Sequence, residues 1–204
     1  MSSFSPNPNG MVRSLILSGS TLYVGGHFTQ IAGQTRNRVA AFDVSTGQLT
    51  TFNPNVNNNV YAMALYGTTL ILGGGFTTIG GQERRHIGAV NASTGQVTTF
   101  NPNANNSVYA FALSGSTLYV GGWFTSIGGQ ARNYLAAVDL GSGSMTSFNP
   151  NSGYYIRALA ISGSTLYAGG GFTMMGGQAR DYVAAVNTST GQPTSFDPSA
   201  DNVV

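Results

Sequence analysis

The 204-residue chain has no cysteine and no lysine, and charged side chains make up only 7% of it. The first absence removes disulfides, thiolate zinc sites and cysteine nucleophiles. Because lysine is missing, all eight positive charges are arginine, and the formal net charge of +2 arises from small counts of both signs. Nucleic acid is not expected as a partner, since that footprint needs clustered Lys and Arg. No segment approaches the roughly 18 consecutive apolar residues of a membrane helix, so membrane insertion is not expected. The opening Met-Ser-Ser-Phe-Ser also lacks the charged and apolar regions of a signal peptide. Two histidines and six carboxylates are thinly spread, with no triad spacing. The expectation is no enzyme, no cofactor and no metal. Polarity rests instead on Ser, Thr, Asn and Gly, which suits turn-dense β structure better than helix.

What the chain has in abundance is repetition. Phe4-Ser5-Pro6, Phe52-Asn53-Pro54, Phe100-Asn101-Pro102, Phe148-Asn149-Pro150 and Phe196-Asp197-Pro198 stand 48 residues apart. A second landmark, Gly25-Gly26-His27-Phe28-Thr29, recurs at the same step as Gly73 to Thr77, Gly121 to Thr125 and Gly169 to Thr173. The whole chain, residues 1–204, therefore reads as one array of four 48-residue repeats, 5–52, 53–100, 101–148 and 149–196. A further 12 residues remain, and residues 1–12 correspond to 193–204.

One repeat shows the local logic. Val108 to Leu113 is an apolar run closed by Ser114-Gly115-Ser116, where glycine supplies the positive φ of a tight turn. Thr117 to Phe124 follows as a second strand, and Gly121-Gly122 within it predicts a bulge or a close backbone approach. An irregular loop, Thr125 to Asn133, leads to a third strand at Tyr134 to Asp139. Gly141-Ser142-Gly143 then turns the chain into a fourth strand, Met145 to Phe148, which stops at proline. Four short antiparallel strands in a unit of about 48 residues are the signature of a propeller blade. The fold class is all-β: a β-propeller of four-stranded antiparallel blades, with one spare fourth-strand segment. Open blade faces and edges are liabilities that closure removes, and a neighbour's blade is nearly indistinguishable from one's own. Either one terminal copy seals a closed four-bladed ring within the chain, or self-association through blade edges lets a homodimer complete a larger ring; the blade count stays open between them.

Phe100-Asn101-Pro102-Asn103, Ser116-Thr117-Leu118-Tyr119-Val120-Gly121-Gly122 and Phe124-Thr125-Ser126-Ile127-Gly128-Gly129-Gln130 with Arg132-Asn133 resemble the delta-sixty type propeller repeat. That repeat occurs in large exported bacterial proteins and in cortical markers of fungal cell polarity. The resemblance implies a β-propeller of the cell surface or extracellular space and carries no shared catalytic residues. The function it implies is a non-enzymatic structural or interaction scaffold, part of a larger exported or surface protein. The alternative is a lectin-like, glycan-binding propeller.

Binding residues are sought where the repeats differ, on loops held by a rigid scaffold. The residue before Phe-Thr runs His27, Gly75, Trp123, Gly171, and the start of the inner strand runs Arg13, Tyr61, Tyr109, Arg157. Val56 to Asn59 becomes Ser152-Gly153-Tyr154-Tyr155. Trp123, Tyr154, Tyr155 and His27 are therefore the candidate ligand residues, suited to a sugar ring or another apolar group. Packing of these aromatics against their own loops is the competing reading. Arg36, Arg84, Arg132 and Arg180 recur in every repeat, and that recurrence favours a structural role over anion binding. They are expected to hold loop carbonyls or to pair with Asp43, Asp139 or Asp181. The Glu83-Arg84-Arg85-His86 cluster reads as a solvated loop.

Overall fold

The computed structural model describes residues 4–202, which form strands and turns and contain no helix. The extremes of the terminal overlap, residues 1–3 and 203–204, lie outside the described residues. The chain divides into two compact units, Met1–Asn101 and Pro102–Val204, each holding two repeats.

In every repeat an inner strand pairs antiparallel with a second. The inner strands are Val12–Ser18, Val60–Tyr66, Val108–Ser114 and Ile156–Ser162, and the second strands are Thr21–Gly26, Thr69–Gly74, Thr117–Gly122 and Thr165–Gly170. The second strand pairs with a third, which is Val39–Asp43, Ile87–Asn91, Leu135–Asp139 or Val183–Asn187. The fourth strand is a ladder only in the first repeat, at Gln48–Leu49. Elsewhere it shrinks to one bridge, Val90 to Val97, Val138 to Met145 or Val186 to Pro193, so the expected strand from Met145 to Phe148 is corrected to a single paired residue. In every repeat the segment ends alike: a threonine hydroxyl captures the amide two residues on, as Phe52 N–H donates to Thr50 Oγ1 and Phe148 N–H to Thr146 Oγ1, each at 3.2 Å, and that amide is lost to a longer ladder.

The glycine pairs do what their position in a strand suggests. All four inner strands shift register at their second residue, Arg13, Tyr61, Tyr109 or Arg157, opposite the second-strand glycines. A Cβ on Gly122 would collide with the carbonyl oxygen of Ser107, and one on Gly74 with that of Asn59. Each repeat thus needs glycine there so that two backbones can touch, and the bulge turns its extra side chain out of the ladder.

The loop taken as irregular carries a two-residue hairpin of its own. In the third repeat Ser126–Ile127 pairs with Gln130–Ala131 around Gly128 and Gly129, at φ 61° and 72°. Beyond it, Arg38, His86, Tyr134 and Tyr182 occupy one equivalent position, all with φ between 63° and 69°. The asparagine after each Phe-Asn-Pro is also left-handed, at φ 54° to 56° for Asn55, Asn103 and Asn151, a conformation asparagine tolerates better than most residues.

Packing is face to face within each unit. Tyr23, Val39, Ala41 and Ile16 of the first blade meet Met63, Leu65, Leu70, Leu72 and Val90 of the second. Tyr119, Leu135, Ala137 and Ala112 of the third meet Leu159, Ile161, Leu166, Ala168 and Val186 of the fourth. Under each blade a phenylalanine, Phe28, Phe76, Phe124 or Phe172, is fully buried. Burial of each such side chain is worth about 1.5–3 kcal/mol.

Asp43 and Asp139 spend their carboxylates on turn hydroxyls and amides, which leaves Arg36 and Arg132 the other expected role, holding main-chain carbonyls. Asp43 Oδ1 accepts from Ser45 Oγ at 2.5 Å, Ser45 N at 2.8 Å and Thr46 N at 3.1 Å. Asp139 Oδ1 accepts from Ser142 N and Oγ, each at 2.8 Å. These bonds hold both carboxyls below the usual range, led by the Ser45 hydroxyl for Asp43 and by the Ser142 amide for Asp139. A carboxyl lowered by folding adds stability above its unfolded value of about 3.9 and loses it as the pH falls through the lower folded value. Asn91 and Asn187 cap the equivalent turns with the same amide bonds, at 3.0 Å. The double variant Asp43→Asn, Asp139→Asn keeps the amide bonds but loses the charge, so it should unfold at a slightly lower denaturant midpoint than wild type at pH 7. It should lose less stability than wild type on acidification from pH about 5 to about 2, as denaturant titrations across that range would read directly.

Candidate functional site

The four recurring arginines bridge strands. Arg36, Arg84, Arg132 and Arg180 each donate Nη1 to the carbonyl just before them, and Nη2 to the carbonyl of Thr50, Thr98, Thr146 or Thr194 in the fourth-strand segment, at 2.5–3.2 Å. The Nε atom of each is buried without a partner. Arg180 also lies 3.6 Å from the Asp197 carboxylate. Guanidinium forks spent on main-chain oxygens hold the weakly paired outer segment to its blade, and the same geometry recurs in all four repeats.

The asparagine loops are likewise structural clasps. Asn9, Asn57 and Asn105 each donate Nδ2 to the hydroxyl of Thr29, Thr77 or Thr125 at 2.8–2.9 Å, and accept at Oδ1 from that threonine's amide and the next amide. Gly153 stands at the fourth equivalent position and breaks the pattern.

That break opens the way for the aromatic residues. Ser152 Oγ donates to the carbonyl of Tyr154 at 2.8 Å and shapes the turn that carries both tyrosines. The Tyr155 ring lies over Gly171, where a Cβ would meet it at 2.7 Å. Gly171 is the repeat equivalent of Trp123, so Tyr155 fills the space a side chain there would take. It leans onto Trp123, with ring centroids 5.1 Å apart and planes at 26°. Tyr154 meets the Trp123 ring edge-on at 5.6 Å and Tyr134 at 5.8 Å. The Arg157 guanidinium sits 5.3 Å from the centre of the Tyr155 ring and 5.5 Å from that of Tyr109. Trp123 remains 38% exposed and Tyr154 41% exposed. The structure thus gathers Trp123, Tyr154 and Tyr155 into one cluster capped by a cation, with two ring surfaces open. Tyr134 joins it through its left-handed backbone, for which its residue type gives no signal.

His27 belongs to the other unit. Arg13 Nε lies 3.4 Å from His27 Nε2, the Arg38 guanidinium donates to the His27 carbonyl, and the imidazole meets Tyr61 edge-on at 5.5 Å. Burial first, then Arg13 and Arg38, hold its pKa below the ordinary value and keep the ring neutral at pH 7. Glu83 pairs with Arg85 at 2.6 Å, both side chains being largely exposed. Among the described residues no three His, Asp or Glu side chains gather as a metal-binding group.

A family model for a domain of unknown function described as a β-propeller, DUF5122, matches residues 21–42 and 117–136. These segments run from the second strand through the connecting loop into the third strand of the first and third repeats. Among solved structures, the chain is similar to the computationally designed Ika8 protein, with 17% identity, a TM-score of 0.60 and 92% of this chain covered. It spans 49% of that protein's length. It is also similar to the computationally designed Ika4 protein, with 14% identity and a TM-score of 0.58, covering 89% of this chain and 93% of that one. No curated protein matches it. The fold is that of a β-propeller, an all-β repeat scaffold. No helix among the described residues is long and apolar enough to cross a membrane.

Proposed function

We propose that the chain is a non-enzymatic interaction scaffold, a propeller segment of a larger exported or cell-surface protein of the delta-sixty type. The observation that carries this reading is where the polar chemistry goes. In all four repeats the arginine fork closes on main-chain carbonyls, and the Asn clasps and Asx-capped turns close on neighbouring amides and hydroxyls. Residues so employed stiffen a frame and leave recognition to the few positions that break the repeat. A panel of hydrolase and transferase substrates should show no turnover above buffer. Turnover that disappears in His27→Ala would overturn the reading.

The Trp123 cluster favours a second reading, recognition of a glycan by ring stacking. An exposed indole flanked by tyrosines offers a sugar its apolar face, and Arg157 supplies a donor beside it. Trp123 is the chain's single tryptophan, so its fluorescence reports on the site directly. On a glycan array this reading expects binding that Trp123→Ala reduces at least tenfold, with a matching emission change in wild type. An array with no signal above background would dismiss it.

A further inference from the structure

The first and fourth blades each leave one apolar face exposed. The first blade turns Leu15 and Leu17 outward, 60% and 64% exposed, while their repeat equivalents Met63 and Leu65 pack into the blade-to-blade core of the same unit. That face has its own small cluster of Val24, Phe28, Ile31, Ala40 and Phe42, to which no other blade contributes. The fourth blade exposes the opposite face. Tyr167 is 36% and Phe196 41% exposed, whereas the equivalents Tyr23 and Phe52, and Tyr119 and Phe148, are all 6% exposed or less. Within the single chain Phe196 holds the place beside Tyr167 that Phe52 holds beside Tyr23: the Tyr167 and Phe196 rings meet edge-on at 5.5 Å, as do Tyr23 and Phe52 at 5.5 Å and Tyr119 and Phe148 at 5.1 Å.

Resting on the scaffold reading, we propose that a second copy of this chain is the occupant of both faces. The fourth blade of each copy packs on the first blade of the other, head to tail, so that two identical joints close the pair. Each half-face already meets its complement within the chain. Ile16 and Tyr23 against Leu65 and Met63 become Ala160 and Tyr167 of one copy against Leu17 and Leu15 of the other. Tyr23 also donates its hydroxyl to the carbonyl of Ala92 at 3.0 Å. The equivalent acceptor for Tyr167 is the carbonyl of Val44, a residue 44% exposed on the first blade.

The duplicated terminal segment sets the terms of this joint. Phe4 lies edge-on to Phe42 at 5.2 Å, and Asn9 clasps Thr29 as Asn57 clasps Thr77. Residues 4–12 therefore already sit on the first blade as residues 52–60 sit on the second. In the paired state residues 4–12 keep that seat, and residues 196–202 of the partner copy, which duplicate them, are displaced.

Light scattering over a concentration series, with paired face variants, tests this. Wild type should have twice the 21.1 kDa chain mass. Leu17→Glu and Ala160→Arg, both at exposed sites, should keep the wild-type circular dichroism yet run at the single-chain mass. An equimolar mixture of the two should recover the doubled mass, because such a pair has one wild-type joint and one Glu–Arg joint. Removing residues 196–204 should retain the doubled mass. Four results would overturn the proposal: a wild-type monomer, a mass that grows without limit, single variants that stay paired, or a mixture that stays monomeric. Loss of pairing on removing residues 196–204 would overturn the assigned seat of residues 4–12. A monomer without turnover would sink this inference and leave the scaffold reading standing, whereas substrate turnover by a paired protein would do the reverse.

Discussion

Phe124→Ala should cost about 3–5 kcal/mol of unfolding free energy, the loss expected when a fully buried aromatic leaves a cavity that its surroundings cannot fill. Phe124 is 0% exposed. Its surroundings are fixed from several sides: its carbonyl accepts the Tyr134 amide at 2.9 Å, and the amide of the next residue, Thr125, is held by Asn105. A site clasped by hydrogen bonds on its main chain has little freedom to collapse, which places the cost toward the upper end of that range. The same substitution at Phe28, Phe76 or Phe172 removes an equivalent side chain. Phe28 belongs to a cluster built of first-blade residues alone, so Phe28→Ala should be the mildest of the four. Equilibrium denaturation of the four single variants gives both the magnitude and the order. A loss near 1 kcal/mol at Phe124 would mean that this residue is not a core anchor.

Much of this was legible in the sequence because repetition acts as an internal control. A residue present at every 48th position has to satisfy the same local geometry each time. The repeated Gly121-Gly122 marks a close backbone approach, which Gly122 makes, and the repeated Arg132 places its fork on main-chain carbonyls. The positions that break the repeat pointed to Trp123, Tyr154 and Tyr155, and these three do meet. His27 satisfied the same criterion yet stands in the other unit, because departure from a repeat says nothing about which departures are neighbours.

Other features left weaker traces. The fourth strand stops early in every repeat because Thr50, Thr98, Thr146 and Thr194 each capture the amide two residues on. That competition depends on a side-chain rotamer, which hydrophobic patterning cannot register. The left-handed residues Arg38, His86, Tyr134 and Tyr182 share no residue type that favours positive φ. Their conformation is imposed by flanking main-chain bonds, such as those joining Arg38 N to Phe28 O and Gly26 N to Arg38 O. The Asn57–Thr77 clasp has a readable signature, an Asn and a Thr 20 residues apart in three repeats.

The central claim is that residues repeated in every blade hold the frame, and Arg132→Ala tests it most directly. Removing this guanidinium strips the Thr146 carbonyl of its charged donor and frees the outer segment, at a cost of about 1.5–3 kcal/mol. Because the fork is committed to main-chain oxygens, inorganic phosphate and small carboxylates should bind wild type and variant equally weakly. The decisive measurement is the unfolding free energy of Arg132→Ala by chemical denaturation, with wild type titrated in parallel against phosphate. The account predicts a loss of about 2 kcal/mol and no phosphate-dependent stabilisation of wild type. A variant as stable as wild type, together with wild-type stability that climbs with phosphate, would contradict it and make the arginines a ligand site.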